Sequence, residues 1–581
     1  MTTLTFAEII KQNRELESSI SGEKYKIAVI SNTTISQFKD ILEWTLRKEG
    51  INADVEVGNY DNLVRDSASY SGHNAVIVFW DAANLLDGIA SSIRLSSDAE
   101  VNELKGRFRA EIQMVLNNLS GTPLVLFNKF SSKLFENCSL GDSAFFRLCE
   151  SLNDTLRDFS KPNQITVNTD RIIGQLTSAQ TINLRQFYTS KALYTTQFYL
   201  AYANAVKPAF LAANGRVKKV LVMDCDNTLW GGIIGEDGID GIGIGKNTPQ
   251  GSIFHEVQSI FLALKNQGVL LALCSKNNPE DVQDVLLNHP EMVIRDADIV
   301  AKKVNWMDKA SNIKDLSLEL NVGLDSFVFV DDSDFEIGLV KKECPQVTCI
   351  QVPKNIYDYP QIARAVSSEF YKLSNTAEDS RKTEMYLEEQ ERKNLAGKFE
   401  SIDEYLASLG LKIKFYWGKA APIPRASQMT QKTNQFNLTT RRYTEEEISR
   451  FINSPLHRLA VFSVSDNFGD SGVTGLIIIS ENPETPNECE IDSFLMSCRV
   501  LGRNIELKFF DEVIQKLKAE GYKTIKALFI PTSKNAQVAN FYEKVGFSPV
   551  DGSGEVAKYI LNTEQYSGRD LPYIEVEQTN E

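Results

Sequence analysis

The sequence predicts an α/β protein with several domains, and three observations support this fold class. The first 200 or so residues alternate short apolar strands with amphipathic helices, a pattern typical of a parallel sheet covered on both faces. An apolar strand at 220–223 then delivers two aspartates at its carboxyl end. Near residue 496 another apolar strand runs into a glycine-containing turn and a helix. With 581 residues, the chain is also too long for a single core.

The composition is that of a globular protein and argues against some classes of partner. Hydrophobic residues make up 42% and charged residues 24% of the chain, and the net charge is −15. This negative charge argues against a nucleic-acid backbone as the main partner. No secretory signal or bilayer-spanning apolar run is visible, and the eight cysteines form no Cys-x-x-Cys pair. We therefore expect a cytoplasmic protein with reduced thiols and no membrane insertion.

Residues 1–200 are expected to form a domain of their own. Strands are predicted at 26–30, 54–57, 75–79 and 124–127, with helices at 36–48 and 104–116. Ser31 follows the first strand, and the order of elements resembles the flavodoxin-like SGNH hydrolases, in which a serine at this place is the nucleophile. A serine without a base is a poor nucleophile, and no histidine stands in an Asp-x-x-His near 160–200. We therefore interpret this domain as non-catalytic, for substrate shaping or partner docking.

The most informative motif is Asp224-Cys225-Asp226-Asn227-Thr228, directly after the strand at 220–223. Ligands of parallel α/β sheets bind at the carboxyl ends of the strands. Two carboxylates this close repel each other, and a divalent cation relieves the repulsion. The alternative is a solvated turn, since Asp, Asn and Thr are ordinary turn residues.

Three further segments favour a phosphoryl-handling centre over a turn. A second strand at 270–274 ends in Ser275, Lys309 follows within Asn-Trp-Met-Asp-Lys-Ala, and a third strand at 327–330 ends in Asp331 and Asp332. This chain order, over about 130 residues, resembles the four motifs of the haloacid dehalogenase superfamily. The resemblance implies a Rossmann-like domain over 215–372.

The resemblance also implies roles for individual residues. Asp224 would be the nucleophile and Asp226 the general acid/base. The phosphate would be held by Thr228, Ser275, Lys276, Asn277 and Lys309, with Lys302 and Lys303 as rival lysines. A Mg²⁺ site would be formed by Asp224, Asp226, Asp331 and Asp332.

Two segments around this domain have distinctive compositions. The glycine-rich stretch 230–245 favours a mobile flap over the metal site, with a plain long loop as the alternative. The charged stretch 373–400 has few apolar residues, and we interpret it as a solvated helix that connects to the next domain.

The last third of the chain carries an anion-binding pattern. Arg499-x-x-Gly502-x-Asn504 stands between a strand and a helix, and a strand-to-helix turn of this kind can cradle phosphate. Together with a strand at 523–530 and the segment around Asn535, it resembles the GNAT acyltransferase fold over 401–565, followed by a tail at 566–581. The resemblance implies binding of phosphopantetheine by Arg499, Gly502, Arg503, Asn504 and Asn535.

The combination of motifs resembles the FkbH family over nearly the whole chain. The matching runs are the Asp224 motif, Gln431-Lys432-Thr433-Asn434-Gln435-Phe436-Asn437 and Met496-Ser497-Cys498-Arg499. This implies an enzyme that dephosphorylates D-1,3-bisphosphoglycerate, a small phosphorylated three-carbon substrate. It would load the glyceryl group, through an enzyme thioester, onto an acyl carrier protein. Asp331-Asp332-Ser333-Asp334 departs from the family's Asp-Asp-Asn-Pro, which puts only details of the metal loop in doubt.

The thiol that would carry glyceryl is open between two cysteines. Cys498 precedes an arginine and a helix N-terminus, both of which lower a thiol pKa, whereas the carboxylates beside Cys225 raise it. We favour Cys498. Two other classes of function stay open: a Mg²⁺-dependent phosphatase with a degenerate GNAT tail, and a non-enzymatic scaffold for a biosynthetic cluster.

Overall fold

The structure, a computed structural model, describes residues 4–86, 90–135, 142–373, 377–396, 398–399, 401–418, 421–532, 534–550 and 556–579, apart from the side chains of Ala377, Lys393, Asn394 and Cys498. Two units are distinguished, one of Met1–Asn214 with Tyr443–Ile448 and the other of Gly215–Arg442 with Ser449–Glu581. Within the described ranges, no helix combines the length and apolar content needed to cross a bilayer.

The first unit contains a parallel sheet in the order β2-β1-β3-β4-β5. Its strands are β1 Tyr25–Ser31, β2 Ala53–Val57, β3 Ala75–Phe79, β4 Leu124–Asn128 and β5 Gln164–Val167. Its helices are α1 Phe6–Ser19, α2 Ser36–Arg47, α3 Leu63–Ser69, α4 Asp98–Asn118, α5 Ala144–Phe159, α6 Thr169–Ile173, α7 Ser178–Thr181, α8 Leu184–Ser190 and α9 Thr196–Ala213.

Alternating side chains of this sheet bury its two faces against different helices. Val78 and its neighbours in β1 and β4 pack against α4 and α5. Phe79, one residue later, packs against Phe38 of α2 and Tyr202 of α9, with ring centroids 6.1 and 5.2 Å away. Ser31 is buried, and its Oγ accepts from the amide of Thr33 at 3.0 Å, so it closes the turn after β1.

The second unit begins with another parallel sheet, in the order β10-β9-β6-β7-β8. Its strands are β6 Val220–Met223, β7 Leu270–Ser275, β8 Ile299–Val304, β9 Phe327–Asp331 and β10 Thr348–Gln351. Its helices are α10 Ile234–Gly241, α11 Pro249–Asn266, α12 Pro279–Asn288, α13 Lys309–Leu320, α14 Asp334–Glu343 and α15 Tyr359–Glu369. Leu221 and Met223 pack with α11, α12 and α15, whereas Val220 and Val222 pack with α13 and α14. The predicted α/β fold class with parallel sheets is therefore confirmed.

The rest of the second unit forms a mixed sheet in the order β17-β18-β16-β15-β14-β13-β11-β19. Its strands are β11 Leu411–Trp417, β12 Phe436–Asn437, β13 His457–Asp466, β14 Gly469–Glu481, β15 Glu488–Met496, β16 Thr524–Phe529, β17 Ser548–Val550, β18 Ala557–Asn562 and β19 Ile574–Thr579. The helices are α16 Ala377–Ser380, α17 Lys382–Ala396, α18 Ile402–Ser408, α19 Ile423–Lys432, α21 Ile505–Ala519 and α22 Phe541–Lys544. Helix α20 Glu445–Asn453 begins in the first unit and ends in the second. The α21 residues Phe509, Phe510 and Val513 lie in the core of this sheet.

The connecting segment is helical, as α16 and α17, but the prediction that it is solvated is wrong. Tyr386 packs into the core of the β10-β9-β6-β7-β8 sheet, called the central sheet below, and Gln390 donates to the carbonyl of Val300 at 2.7 Å. Arg392 is buried and forms a bidentate ion pair with Asp466 of β13, in which both N···O distances are 2.8 Å. The charged side chains of α17 therefore tie the two sheets of the second unit together.

We predict that Asp466→Ala lowers the free energy of unfolding of the second unit by about 3–5 kcal/mol, because it removes both short hydrogen bonds of a buried guanidinium. The carboxylates that remain near Arg392, those of Glu388 and Glu389, lie 3.5 Å away. Glu575→Ala is the matched control, since its ion pair with Lys412 is exposed, and it should cost about 1 kcal/mol or less. Chemical denaturation of both variants checks the prediction, and equal losses would contradict it.

Candidate active site

The carboxylate of Asp224 is the centre of the candidate site. Its amide donates to the carbonyl of Val330, at 3.0 Å, which continues the pairing of β6 with β9. Its Oδ1 accepts from Ser275 Oγ at 2.7 Å and lies 2.8 Å from Lys309 Nζ. Ser275 ends β7 and Lys309 begins α13, whose N-cap is Asp308. The ends of two strands and the start of a helix thus bring these predicted site residues together.

Three carboxylates gather at this point, those of Asp224, Asp331 and Asp332. Each offers an oxygen, and these oxygens all lie within 4.8 Å of one another. Burial raises the pKa of Asp331 to about 6, and the charge of Asp224 adds to the effect. Burial and Asp224 also raise the pKa of Asp332. Carboxylate oxygens that repel one another at this spacing fit a hard divalent cation such as Mg²⁺.

Lys309 partly offsets this negative charge. Its Nζ lies 2.6 Å from Asp331 and 2.8 Å from Asp224, and its side chain is only 5% exposed. Burial alone would lower its pKa, but the two carboxylates outweigh burial, and the pKa is raised. The ammonium therefore stays charged and holds both aspartates in place.

Asp226 lies beside this group, but its carboxylate is not part of it. Its Oδ1 accepts from the indole of Trp230 at 2.9 Å and from the amide of Ile234 at 3.1 Å, and its Oδ2 from Asn277 at 3.0 Å. The predicted metal-ligand role of this side chain is therefore not met by the geometry, because these donors orient it elsewhere. Asn277 also donates to Ser275 Oγ at 3.1 Å, which links Asp226 to the Asp224 site through hydrogen bonds.

In the described part of the chain, two of the predicted phosphate ligands form no side-chain hydrogen bond with the carboxylates of the site. Lys276 Nζ lies 2.7 Å from Glu336, in an ion pair of its own. Thr228 is fully buried, and in the described part of the chain its Oγ1 has no hydrogen-bond partner. Ser275, Asn277 and Lys309 remain as the candidate phosphate contacts.

The segment predicted as a flap is anchored instead. Trp230 is fully buried, Gly231 and Gly243 exchange two backbone hydrogen bonds of 3.0 and 2.7 Å, and α10 lies between them. Sequence reasoning missed Trp230 as the residue that orients Asp226. Its place four residues after the carboxylate is the signal that could have revealed it.

Of the two candidate thiols, one is ruled out by burial. Cys225 is fully buried among Leu221, Met223 and Leu229, and burial, followed by the charge of Asp224, raises its thiol pKa far above the usual range. It cannot meet a substrate in this fold. The backbone of Cys498 begins a short 3-10 helix, but its side chain lies outside the described residues.

The predicted pantetheine ligands separate into two groups. Arg503 is buried and lies 3.4 Å from Asp466, and Asn535 is buried and donates to the carbonyls of Asn437 and Ile530, each at 2.9 Å. Both side chains serve the fold, which overturns their predicted role in binding. Arg499 faces a cavity instead. Gly502 and Asn504 have positive φ values of 81° and 59° at the start of α21, and Asn504 donates to Tyr573 at 2.8 Å.

The carboxyl ends of β15 and β16 are separated by the segment that contains β12. The two strands pair in parallel only from Glu488–Thr524 to Ile491–Ala527. Further along, β12 pairs with β15 through Phe436–Met496, and the amide of Ile530 donates to the carbonyl of Leu438 at 2.9 Å. The motif that contains Phe436 and Asn437 therefore occupies the gap between the strands.

Comparison with solved structures shows a shared fold for much of the chain. The N-terminal part of the protein BF1531 from Bacteroides fragilis, described as containing a phosphatase domain complexed with Mg, is 24% identical, and the match covers 64% of this chain and 100% of that one, with a TM-score of 0.57.

Two acetyltransferases match short parts of the chain. The ribosomal-protein-S18-alanine N-acetyltransferase from Escherichia coli is 13% identical, with coverage of 27% and 98% and a TM-score of 0.21. The IAA acetyltransferase from Bacillus cereus is 14% identical, with coverage of 20% and 85% and a TM-score of 0.17. No protein-family profile and no curated protein matches the chain.

We predict that Asp332→Asn weakens binding of Mg²⁺ by at least about tenfold, because it removes a charged oxygen ligand. Asp334→Asn, two residues later, is the matched control and should bind Mg²⁺ like the unmodified protein, since its carboxylate accepts from Gln351. Calorimetric titration with Mg²⁺ tests both variants. Equal affinities would exclude Asp332 as a ligand.

Proposed function

We propose that this chain is a Mg²⁺-dependent enzyme that dephosphorylates D-1,3-bisphosphoglycerate and loads the glyceryl group onto an acyl carrier protein. One observation carries the phosphoryl chemistry: Asp224 is held by Ser275 and Lys309 beside Asp331 and Asp332. The solved structure with the same fold was complexed with Mg, which supports the choice of cation. The three-carbon substrate and the carrier come from the resemblance to the FkbH family.

The residues present divide the phosphoryl step among them. When held by Asp224, Asp331 and Asp332, Mg²⁺ supplies positive charge against the phosphate oxygens. Asp224 attacks phosphorus, and the bond from phosphorus to the substrate oxygen breaks. Asp226 gives that oxygen a proton and later takes one from the water that hydrolyses the aspartyl phosphate. Lys309 stabilises the charge that develops on the phosphoryl group.

The glyceryl step needs a second bond to break. The loaded group carries neither phosphate, so the ester phosphate at C3 leaves through Asp224. The acyl phosphate at C1 leaves when a thiolate attacks the carbonyl carbon, because a carbon–sulfur bond forms as the phosphate departs with the electron pair of the carbon–oxygen bond. Since Cys225 is buried, Cys498 is the enzyme thiol proposed for this step, and the phosphopantetheine thiol of the carrier would receive the group.

A second candidate function is a Mg²⁺-dependent phosphatase without transfer. β12 fills the gap between β15 and β16, and the side chains of Arg503 and Asn535 are engaged in the fold. Both observations favour an acyltransferase-like domain that no longer binds an acyl ligand.

We predict that the protein with Mg²⁺, D-1,3-bisphosphoglycerate and a phosphopantetheinylated carrier releases two phosphates for each glyceryl group loaded. Intact mass of the carrier and a phosphate assay measure the two quantities, and the carrier without its phosphopantetheine arm is the control. Cys498→Ala should abolish loading. Phosphate release with no mass added to the carrier would contradict glyceryl transfer and would favour the function of a phosphatase without transfer.

We predict that Asp224→Asn lowers phosphate release by at least about 10³-fold, since it removes the nucleophile. Asp240→Asn, an exposed carboxylate of α10, should remain within about twofold of the unmodified enzyme. Initial rates at saturating Mg²⁺ give the comparison. Equal rates for Asp224→Asn would refute the proposed phosphoryl chemistry.

A further inference from the structure

A cavity of about 350 Å³ lies at the amino ends of β6 and β9, strands of the central sheet β10-β9-β6-β7-β8. Asp224 follows the opposite, carboxyl end of β6. Lys219, directly before β6, and Ser326, directly before β9, form one wall. Asp224 follows the other end of β6, and five residues at about 3.3 Å each place it ~16 Å from Lys219. The cavity is therefore distinct from the phosphoryl centre. Its other walls come from α17, α19 and the end of β15.

The lining of this cavity is strongly basic. Its basic residues are Lys219, Lys382, Arg425, Lys432, Arg499 and Lys534, and its acidic residues are Asp325, Glu378 and Asp379. Lys534 forms an ion pair with Asp325. Asp379 is shared, since it lies 3.3 Å from Lys432 and 3.0 Å from Lys372, which is outside the lining. Positive charge thus exceeds negative charge within the cavity.

These cations are poorly solvated and close enough to repel one another. Burial lowers the pKa of Lys432 to about 7, and the charge of Lys372 adds to the effect. Burial, followed by the charge of Arg499, also lowers the pKa of Arg425. Arg425 donates to the carbonyl of Val473, at 3.0 and 3.2 Å, and Arg499 donates to Ser497 and Met385. A bound anion would relieve the repulsion that these neutral partners leave.

We propose that this cavity binds a phosphate ester, with Arg425, Lys432 and Arg499 as its charge partners. Guanidinium groups match the geometry of phosphate oxygens, and the convergence of several cations suits a dianion better than a single carboxylate. The volume fits a small ligand. Ser497 and Arg499 line the cavity and flank Cys498 in sequence, so the ester would bind beside the proposed acyl-carrying thiol. The inference rests on the proposed function only for its choice of esters.

Calorimetric titration of the full chain, without Mg²⁺ and with a chelator, tests the site. The probes are 4′-phosphopantetheine and 3-phosphoglycerate, and saturable binding of either supports the proposal and identifies the source of the phosphate. Arg499→Gln and Lys432→Gln should each weaken that binding at least about tenfold, and Arg499→Lys should weaken it less. Asp224→Asn should leave it within about twofold, because the two sites are on opposite edges of the sheet.

Lys314→Gln is the matched control, since Lys314 is exposed on α13 and pairs with Glu343 at 3.9 Å. Circular dichroism and thermal melting verify the fold of each variant, and a folded Arg499→Gln alone suffices for the test. The proposal is overturned if neither probe binds, if Asp224→Asn abolishes binding, or if the folded cavity variants bind normally. Phosphate release by the unmodified enzyme with Mg²⁺ is measured separately, so its failure would refute the proposed function and not this site.

Discussion

The candidate active site depends on one buried ammonium group, that of Lys309. It lies within 2.8 Å of both Asp224 and Asp331, and all three side chains are almost inaccessible to solvent. An isolated buried carboxylate would be costly, because few polar groups replace its hydration. With Asp332, the group contains three carboxylates against one ammonium, so it still carries excess negative charge. This excess of negative charge is the physical reason why the arrangement fits a divalent cation that binds a phosphoryl group. Hydrogen bonds from Ser275 to Asp224 and from Asn277 to Asp226 hold these carboxylates in place.

The second unit places its two candidate sites far apart. The phosphoryl centre lies at the carboxyl ends of β6, β7 and β9, whereas the basic cavity beside Arg499 lies at the opposite edge of the same sheet. A strand of this length separates them by ~16 Å, more than a three-carbon substrate spans. Direct transfer from one site to the other is therefore excluded in this arrangement. If glyceryl loading takes place, the substrate must dissociate between the steps, or a long carrier arm must bridge them.

The sequence was most informative where the chemistry is local. Apolar strands followed by polar residues predicted the parallel sheets and the meeting of Asp224, Ser275, Lys309 and Asp331, because parallel strand ends share one edge. Contacts between residues that lie far apart in the sequence could not be predicted. The charges of α17 suggested solvent exposure, yet Arg392 pairs with Asp466, which is 74 residues away. The strand β5 was not predicted because Gln164–Val167 is only 4 residues long. Lys276 stands in the right motif, but its ammonium pairs with Glu336 instead.

Asp224 is proposed as the nucleophile of a phosphoryl transfer, and trapping of the covalent intermediate tests this role. The protein would be mixed with Mg²⁺ and substrate labelled with ³²P at the C3 phosphate, quenched in acid within milliseconds, and digested for peptide mapping. We expect the label on the peptide that contains Asp224, sensitive to hydroxylamine as an acyl phosphate is. Phosphate release without any labelled peptide, or label on a different residue, would contradict Asp224 as the nucleophile.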